Sequence, residues 1–373
     1  MSGEPSSDTL PGRLRRAIEA GGGAIPFAEF MRRALYEPGL GYYERAPGRV
    51  GRAGDFYTSV GVGPVFGELL GFQFHEWLRE AGDLPADGPW TWVEAGAHDG
   101  RLADDLLSWL DRFQPDWASR IEYRIVEPSP AREAWQRARL ARWGARVRWT
   151  RALEPVRGVV FANELLDAFP VERLGWEAAV RRWFRWGVAW AGGRFAWCRL
   201  PAGPAELAGL PELPPALLDH LPDGYVWEFS PAAEDWWRRA AAGLRQGWLV
   251  TLDYGRSGAE LLAPERTRGS LRGYRQHRFV DDLLEEPGTA DLTAHVNFSR
   301  IAAAGESAGL TTVECVAQRQ FLTRILARTL AREEGFPGWT PARVRQFQTL
   351  THPEQLGHSF RVLVQRRDRD GTG

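Results

Sequence analysis

From residue 90 onward, short apolar runs alternate with longer amphipathic ones. "WTWVEA" (90–95), "IEYRIVE" (121–127), "ARVRWT" and "RGVVFAN" (157–163) read as strands, whereas "GRLADDLLSWLDRF" (100–113) and "SPAREAWQRARLARW" carry apolar residues at helical spacing. Strands alternating with helices of this length predict a parallel sheet covered on both faces, a doubly wound α/β fold. At 171–200 the rhythm breaks, and aromatic-rich alternation around turn signals predicts inserted antiparallel hairpins. After a Pro-rich connector the α/β rhythm resumes with "YVWEFS", a helix to about residue 245 and a strand at 247–255. "GLTTVECVAQ" and "SFRVLVQRR" predict a closing pair of strands. Upstream, residues 11–36 and 64–82 read as helices, joined by a long Gly-rich, aromatic passage of a kind usually functional or disordered. The chain thus divides into a helical extension with a closing loop (1–85), a first core half (86–170), an inserted region (171–224) and a second core half (225–373).

Composition narrows the chemistry more than the fold. Hydrophobic residues at 44% and charged residues at 25% are those of a soluble globular protein. With 47 basic against 48 acidic residues, no global field would draw nucleic acid or an anionic membrane, so neither is expected as a partner. Every basic residue is arginine, which excludes Schiff-base chemistry, a pyridoxal phosphate anchor and a P-loop lysine. Cys198 and Cys315 stand far apart without a histidine cluster, so neither a disulfide framework nor a metal site is expected and a reduced, cytoplasmic setting fits. No signal-like segment or apolar stretch of roughly 18 residues is present, so secretion and membrane spanning are not expected. The 18 tryptophans read as core or arginine-stacking residues rather than base-stacking platforms.

In an open parallel sheet, ligands sit at the carboxyl ends of the strands. Four strand ends here carry acids or amides: "EAGAHDG" (94–100), Glu127, "NELLD" (163–167) and "DYG" (253–255). Glu127, closing the second strand, suits a ribose; Gly96 lets the backbone approach a ligand, and Gly100 lets the next helix start tight against the sheet. The loop lacks the dinucleotide spacing, and Glu94 and Asp99 crowd it with acid. That disfavours a pyrophosphate and favours a cationic, hydroxyl-rich ligand such as S-adenosylmethionine.

Together with "GDFYTSVGVGPVFGELLG" (54–71), "FANELLDAFPV" (161–171), "LDYG", "SLRGYRQH" (270–277) and "PGTADLTAHVNFS" (287–299), that loop resembles the MidA-like family of S-adenosylmethionine-dependent methyltransferases. The family comprises bacterial proteins and the mitochondrial protein-arginine methyltransferase needed for complex I assembly. The resemblance implies a class I methyltransferase fold with an N-terminal helical extension and an inserted substrate-facing region. It implies a cofactor set of Asp55, Thr58, Ser59, Glu94, Gly96, Ala97, His98, Gly100, Glu127 and Asn163, with Asp55, Thr58 and Ser59 closing over the methionine end. It also implies a protein substrate bearing arginine, with Tyr274, His277, His295 and Asn297 on the substrate side. Two departures stand out. Ala97, His98 and Asp99 replace the usual Pro, Gly and Arg, and His295 and Asn297 stand where the family commonly has aspartates. Histidine tolerates a left-handed backbone, so position 98 can keep the same turn.

A guanidinium nucleophile needs planar carboxylates that grip it and leave one nitrogen facing the methyl group. Glu164 and Asp167 are the candidates, with Asp253 and Tyr254 across the pocket; the competing reading of "NELLDAFP" is a helix start capped by Asn163. The alternatives are a small-molecule O- or N-methyltransferase and a non-catalytic assembly factor. The hairpins at 171–200 could form a lid, a substrate groove or the contact of a homodimer.

Overall fold

The computed structural model describes residues 8–45, 58–82, 88–213, 215–263, 265–276, 278–331 and 335–368. The chain forms two compact units: one from residues 1–49, 167–235 and 256–300, the other from 50–166, 236–255 and 301–373. The four segments drawn from the sequence are thereby regrouped, since 1–85 divides near residue 49 and 225–373 divides at 235, 255 and 300.

The larger unit is built on strands β1 (Trp90–Ala95), β2 (Ile121–Val126), β3 (Val147–Thr150), β4 (Val156–Asn163), β5 (Leu244–Arg256), β6 (Thr311–Ala317) and β7 (Phe360–Arg367). They lie in the order β3-β2-β1-β4-β5-β7-β6; the first five are mutually parallel, and β7 runs antiparallel to both β5 and β6. This is the expected doubly wound sheet, and its order reverses between β1 and β4. Strand β1 is buried along its whole length, which is why "WTWVEA" shows no polar alternation.

Helices α1 (Val65–Glu80), α2 (Arg101–Phe113), α3 (Pro130–Arg139), α4 (Gln318–Leu330) and α5 (Pro341–Thr351) belong to this unit. Helix α1 approaches α2 closely because a Cβ on Gly71 would meet the Trp109 ring at 2.7 Å. The Phe74 ring sits 5.0 Å from Phe161 and 5.9 Å from Trp92, tying α1 to β4 and β1. Burying such a phenylalanine contributes roughly 1.5–3 kcal/mol. The tryptophans divide as the sequence suggests: Trp90, Trp92 and Trp109 are core, while Arg137 and Arg142 lie over Trp149 and Trp143 at 4.2 and 4.5 Å.

The smaller unit carries the predicted antiparallel hairpins, with strands at Glu172–Glu177, Arg182–Ala191 and Arg194–Pro201. Two expectations fail here. "YVWEFS" does not resume the parallel core, because Val226–Phe229 pairs antiparallel with Glu172–Glu177 and buries Trp227 beside Leu174 and Trp176. A period-2 run shows that a strand forms but not which sheet receives it. Nor is 11–36 one helix: Leu10–Ala20 stops at Gly21, and Gly22 and Gly23 adopt φ of 78° and 107°, outside helical geometry. Ala24–Pro26 then joins the hairpin sheet before Phe27–Tyr36 forms a second helix. No helix among the described residues is long and apolar enough to cross a membrane.

Candidate active site

At the end of β1 the chain turns sharply through three left-handed residues, Gly96 (φ 75°), His98 (φ 46°) and Gly100 (φ 83°). Gly100 then starts α2. The reason for Gly96 is not only its backbone angle, since a Cβ there would meet Leu165 Cδ1 at 2.9 Å. The β1 loop and the turn after β4 are thus in contact, where the strand order reverses. Ala97 is buried, and its carbonyl accepts from the Gly100 N–H at 2.7 Å.

The two acids of this loop behave differently from each other. Burial raises Glu94 to about 8, with Asp99 and Asp105 adding to the effect and the hydrogen bond from Tyr123 opposing it. The Tyr123 hydroxyl donates to Glu94 Oε2 at 2.6 Å, and near neutrality the carboxyl is mostly protonated. Burial would raise Asp99 too, but the hydrogen bond and charge of His98 and the charge of Arg139 outweigh it and hold Asp99 at about 2. Its Oδ2 accepts from Arg139 Nη2 at 2.7 Å, so this charge is spent within the protein. The double negative charge read from the sequence is therefore reduced, without a ligand, to one neutral acid and one paired acid.

Glu127, after β2, is 1% exposed. Its Oε1 accepts from the Ser129 N–H and from Arg132 Nε, both at 2.9 Å, and its Oε2 accepts from Gln136 Nε2 at 2.9 Å. A carboxylate offers about four acceptor positions, so Glu127 has room for one further donor rather than for both hydroxyls of a ribose. Gln136 also donates from Nε2 to the His98 carbonyl at 3.1 Å and accepts from Trp149 Nε1 at 2.9 Å. It joins the β1 loop, the β2 acid and β3, a role nothing in its Arg-rich helix signals.

The turn after β4 is not a helix start. Asn163 is the last strand residue, Glu164 is left-handed at φ 52°, and only a 3-10 turn at Leu166–Ala168 follows. Glu164 Oε1 accepts from the Ser59 N–H at 2.9 Å and from Asn163 Nδ2 at 3.1 Å. Asp253 is fully buried; its Oδ2 accepts from the N–H groups of Leu165 and Leu166 at 3.2 and 2.8 Å, and its Oδ1 from Tyr254 N–H at 2.9 Å. That arrangement makes Asp253 the anchor of the turn rather than a group across a pocket. The Tyr254 ring packs on Phe360, 5.8 Å between centroids. Thr58 caps the short helix Ser59–Val62 by accepting from the Gly61 N–H at 2.9 Å. Asp55 and His277 lie outside the described residues.

The other predicted residues belong to the smaller unit. The Asp167 carbonyl accepts from the Ala294 N–H at 3.0 Å. Tyr274 stands opposite Asp291 on neighbouring strands, and Asp291 Oδ1 accepts from the hydroxyl of the half-buried Tyr43 at 2.7 Å. Tyr43 stacks on Tyr36, whose hydroxyl donates to the Ala168 carbonyl at 3.0 Å. "GYYE" and "DLT" thus meet, which the sequence did not suggest. Asn297 acts as a helix cap, its Oδ1 accepting from the Arg300 N–H at 3.3 Å. Burial, followed by the charges of Arg266, Arg256 and Arg272, lowers His295 to about 4. The arginine charges that act on this imidazole disfavour a further positive charge on it.

Comparison with known proteins points one way. Residues 69–316 match a family described as "Putative S-adenosyl-L-methionine-dependent methyltransferase". The chain is 30% identical to the mitochondrial protein arginine methyltransferase NDUFAF7 homolog of Drosophila melanogaster, covering 97% of this chain and 85% of that protein. With NDUFAF7 of Mus musculus it shares 29% identity, over 94% and 83% of the two chains. The crystal structure of a Burkholderia thailandensis protein bound to S-adenosyl-homocysteine superposes with a TM-score of 0.81 and 32% identity, covering 99% of this chain and 96% of that one.

Proposed function

This chain belongs to that family of S-adenosyl-L-methionine-dependent methyltransferases, and from that premise we propose that it methylates an arginine side chain of a protein substrate. The observation that carries the reading is the near full-length similarity to proteins named as protein arginine methyltransferases. The residues at the reversal of strand order fit the cofactor. Glu127 has room for one hydroxyl donor, and Glu94 would regain its charge beside a cation. When bound, S-adenosyl-L-methionine supplies an electrophilic methyl group on a sulfonium.

Methyl transfer then asks the protein chiefly for position and exclusion of water. In our reading the Gly96–Gly100 loop and Glu127 hold the adenosyl part, and the carboxylate of Glu164, aimed by Ser59 and Asn163, grips the substrate guanidinium. Asp253 acts one step back by fixing the turn that carries Glu164. A guanidinium needs no strong base before attack, because its proton can leave during or after transfer.

Incubation with methyl-labelled S-adenosyl-L-methionine and candidate substrate proteins, followed by mass spectrometry, tests the reading. Methylarginine in the protein fraction is expected; label confined to small molecules would overturn it.

A further inference from the structure

We propose that Gln318 is a positioning residue for methyl transfer, aiming Glu164 through Ser59; this rests on the role given to Glu164 above. Gln318 opens α4 and is fully buried. Its Nε2 donates to the Leu350 carbonyl near the end of α5, 3.0 Å away. A carbonyl can only accept, so the amide cannot be turned around, and Oε1 must face Ser59. The Ser59 hydroxyl donates to that oxygen at 3.3 Å, and the Ser59 backbone N–H donates to Glu164 Oε1 at 2.9 Å. Ser59 is itself fully buried.

The rest of the segment is pinned in the same way. Thr58 caps its N-terminal side, and Gln346 on α5 accepts from the Val65 N–H at 3.3 Å on the other. The two C-terminal helices therefore hold a short stretch whose contribution is one N–H aimed at a strand-end carboxylate. Glu164 needs that help, because its left-handed backbone is a conformation few non-glycine residues keep without support. An apolar side chain of similar shape would fill the Gln318 site without leaving an amide to satisfy, so the buried polar chain has a direction that packing alone does not require.

A double-mutant cycle of Gln318→Met and Glu164→Gln, read in steady-state methylation, S-adenosyl-homocysteine titration and thermal unfolding, tests this. We expect Gln318→Met to lower kcat/KM about tenfold in the parent protein but by less than about twofold in the Glu164→Gln background, with S-adenosyl-homocysteine affinity unchanged. Ser59→Ala should reproduce the loss and Ser59→Thr restore most of it, which keeps the test open if Gln318→Met folds poorly. Equal losses in both backgrounds, or a lowered Tm with unchanged kinetics, would overturn the relay while leaving the reading of Glu164 intact. Unchanged methylation by Glu164→Gln would overturn both.

Discussion

The loop after β1 and the turn after β4 close neighbouring parallel strands, and each contains a non-glycine residue in the left-handed region, His98 at φ 46° and Glu164 at φ 52°. They reach that conformation by different means. Around His98 the bend is shared with two glycines, and the carbonyl is tied down by Gln136. Around Glu164 there is no glycine, and buried Asp253 collects three backbone N–H groups while Ser59 and Asn163 hold the carboxylate. Local composition makes the first bend; distant residues impose the second. A binding loop can be built either way, but only the first leaves a mark in the sequence.

Removing the anchor of the second turn should have the largest effect. Asp253→Ala removes the acceptor of one buried N–H group, that of Leu166, and of two part-buried ones, those of Leu165 and Tyr254; at about 1–3 kcal/mol for each unsatisfied group, with partial exposure and relaxation, the loss should be about 4 kcal/mol in urea unfolding. A loss below about 1 kcal/mol would show that the β4 turn is held by something else.

The next effect concerns the neutral acid beneath the first loop. Glu94 keeps its proton in the folded chain up to about 8, whereas the unfolded chain releases it near 4.5. Its contribution is therefore fully present below pH 4.5 and is lost as pH rises through 8, a loss of a few kcal/mol across that window. Glu94→Gln should flatten this decline. If Glu94 faces the cationic cofactor, the parent protein should also bind S-adenosyl-L-methionine more tightly as pH rises from 6.5 to 8.5, and the variant should not. A decline in stability that persists unchanged in Glu94→Gln would assign it to another group.

The smallest effect is expected at His98. His98→Gly relieves a left-handed side-chain residue in a turn already shaped by glycines, so stability should rise by about 0.5 kcal/mol, with cofactor affinity intact or stronger. Abolished binding would mean that the imidazole is itself a contact and that the two bends are more alike than their surroundings suggest.

Much of the fold was legible from the pattern: "WTWVEA", "IEYRIVE" and "RGVVFAN" are β1, β2 and β4, and the aromatic alternation at 171–200 is a set of hairpins. "YVWEFS" joins a different sheet from the one its rhythm predicts, and Gly21–Gly23 interrupt the helix predicted over 11–36, because a periodicity reports an element's type and not its neighbours or its interruptions. In the site, Gly96, Gly100 and Glu127 could be singled out from glycine and acid at strand ends. Gln136 and Gln318 could not, since an amide within an amphipathic helix looks like any surface polar residue until the fold buries it. Asn297, expected on the substrate side, also caps a helix, and a side chain able to serve both roles does not announce the second one.

The sequence by itself determined the strand rhythm, the glycine-framed loop and the absence of lysine chemistry, because backbone conformation and functional-group inventory are local properties. Only the tertiary structure decided that Glu94 is neutral, that the charge of Asp99 is spent on Arg139, that Asp253 anchors a turn and that Gln318 reaches Glu164 through Ser59. Charge state and hydrogen-bond partnership depend on burial and on residues here 29 to 259 positions apart, and those are set when the chain packs.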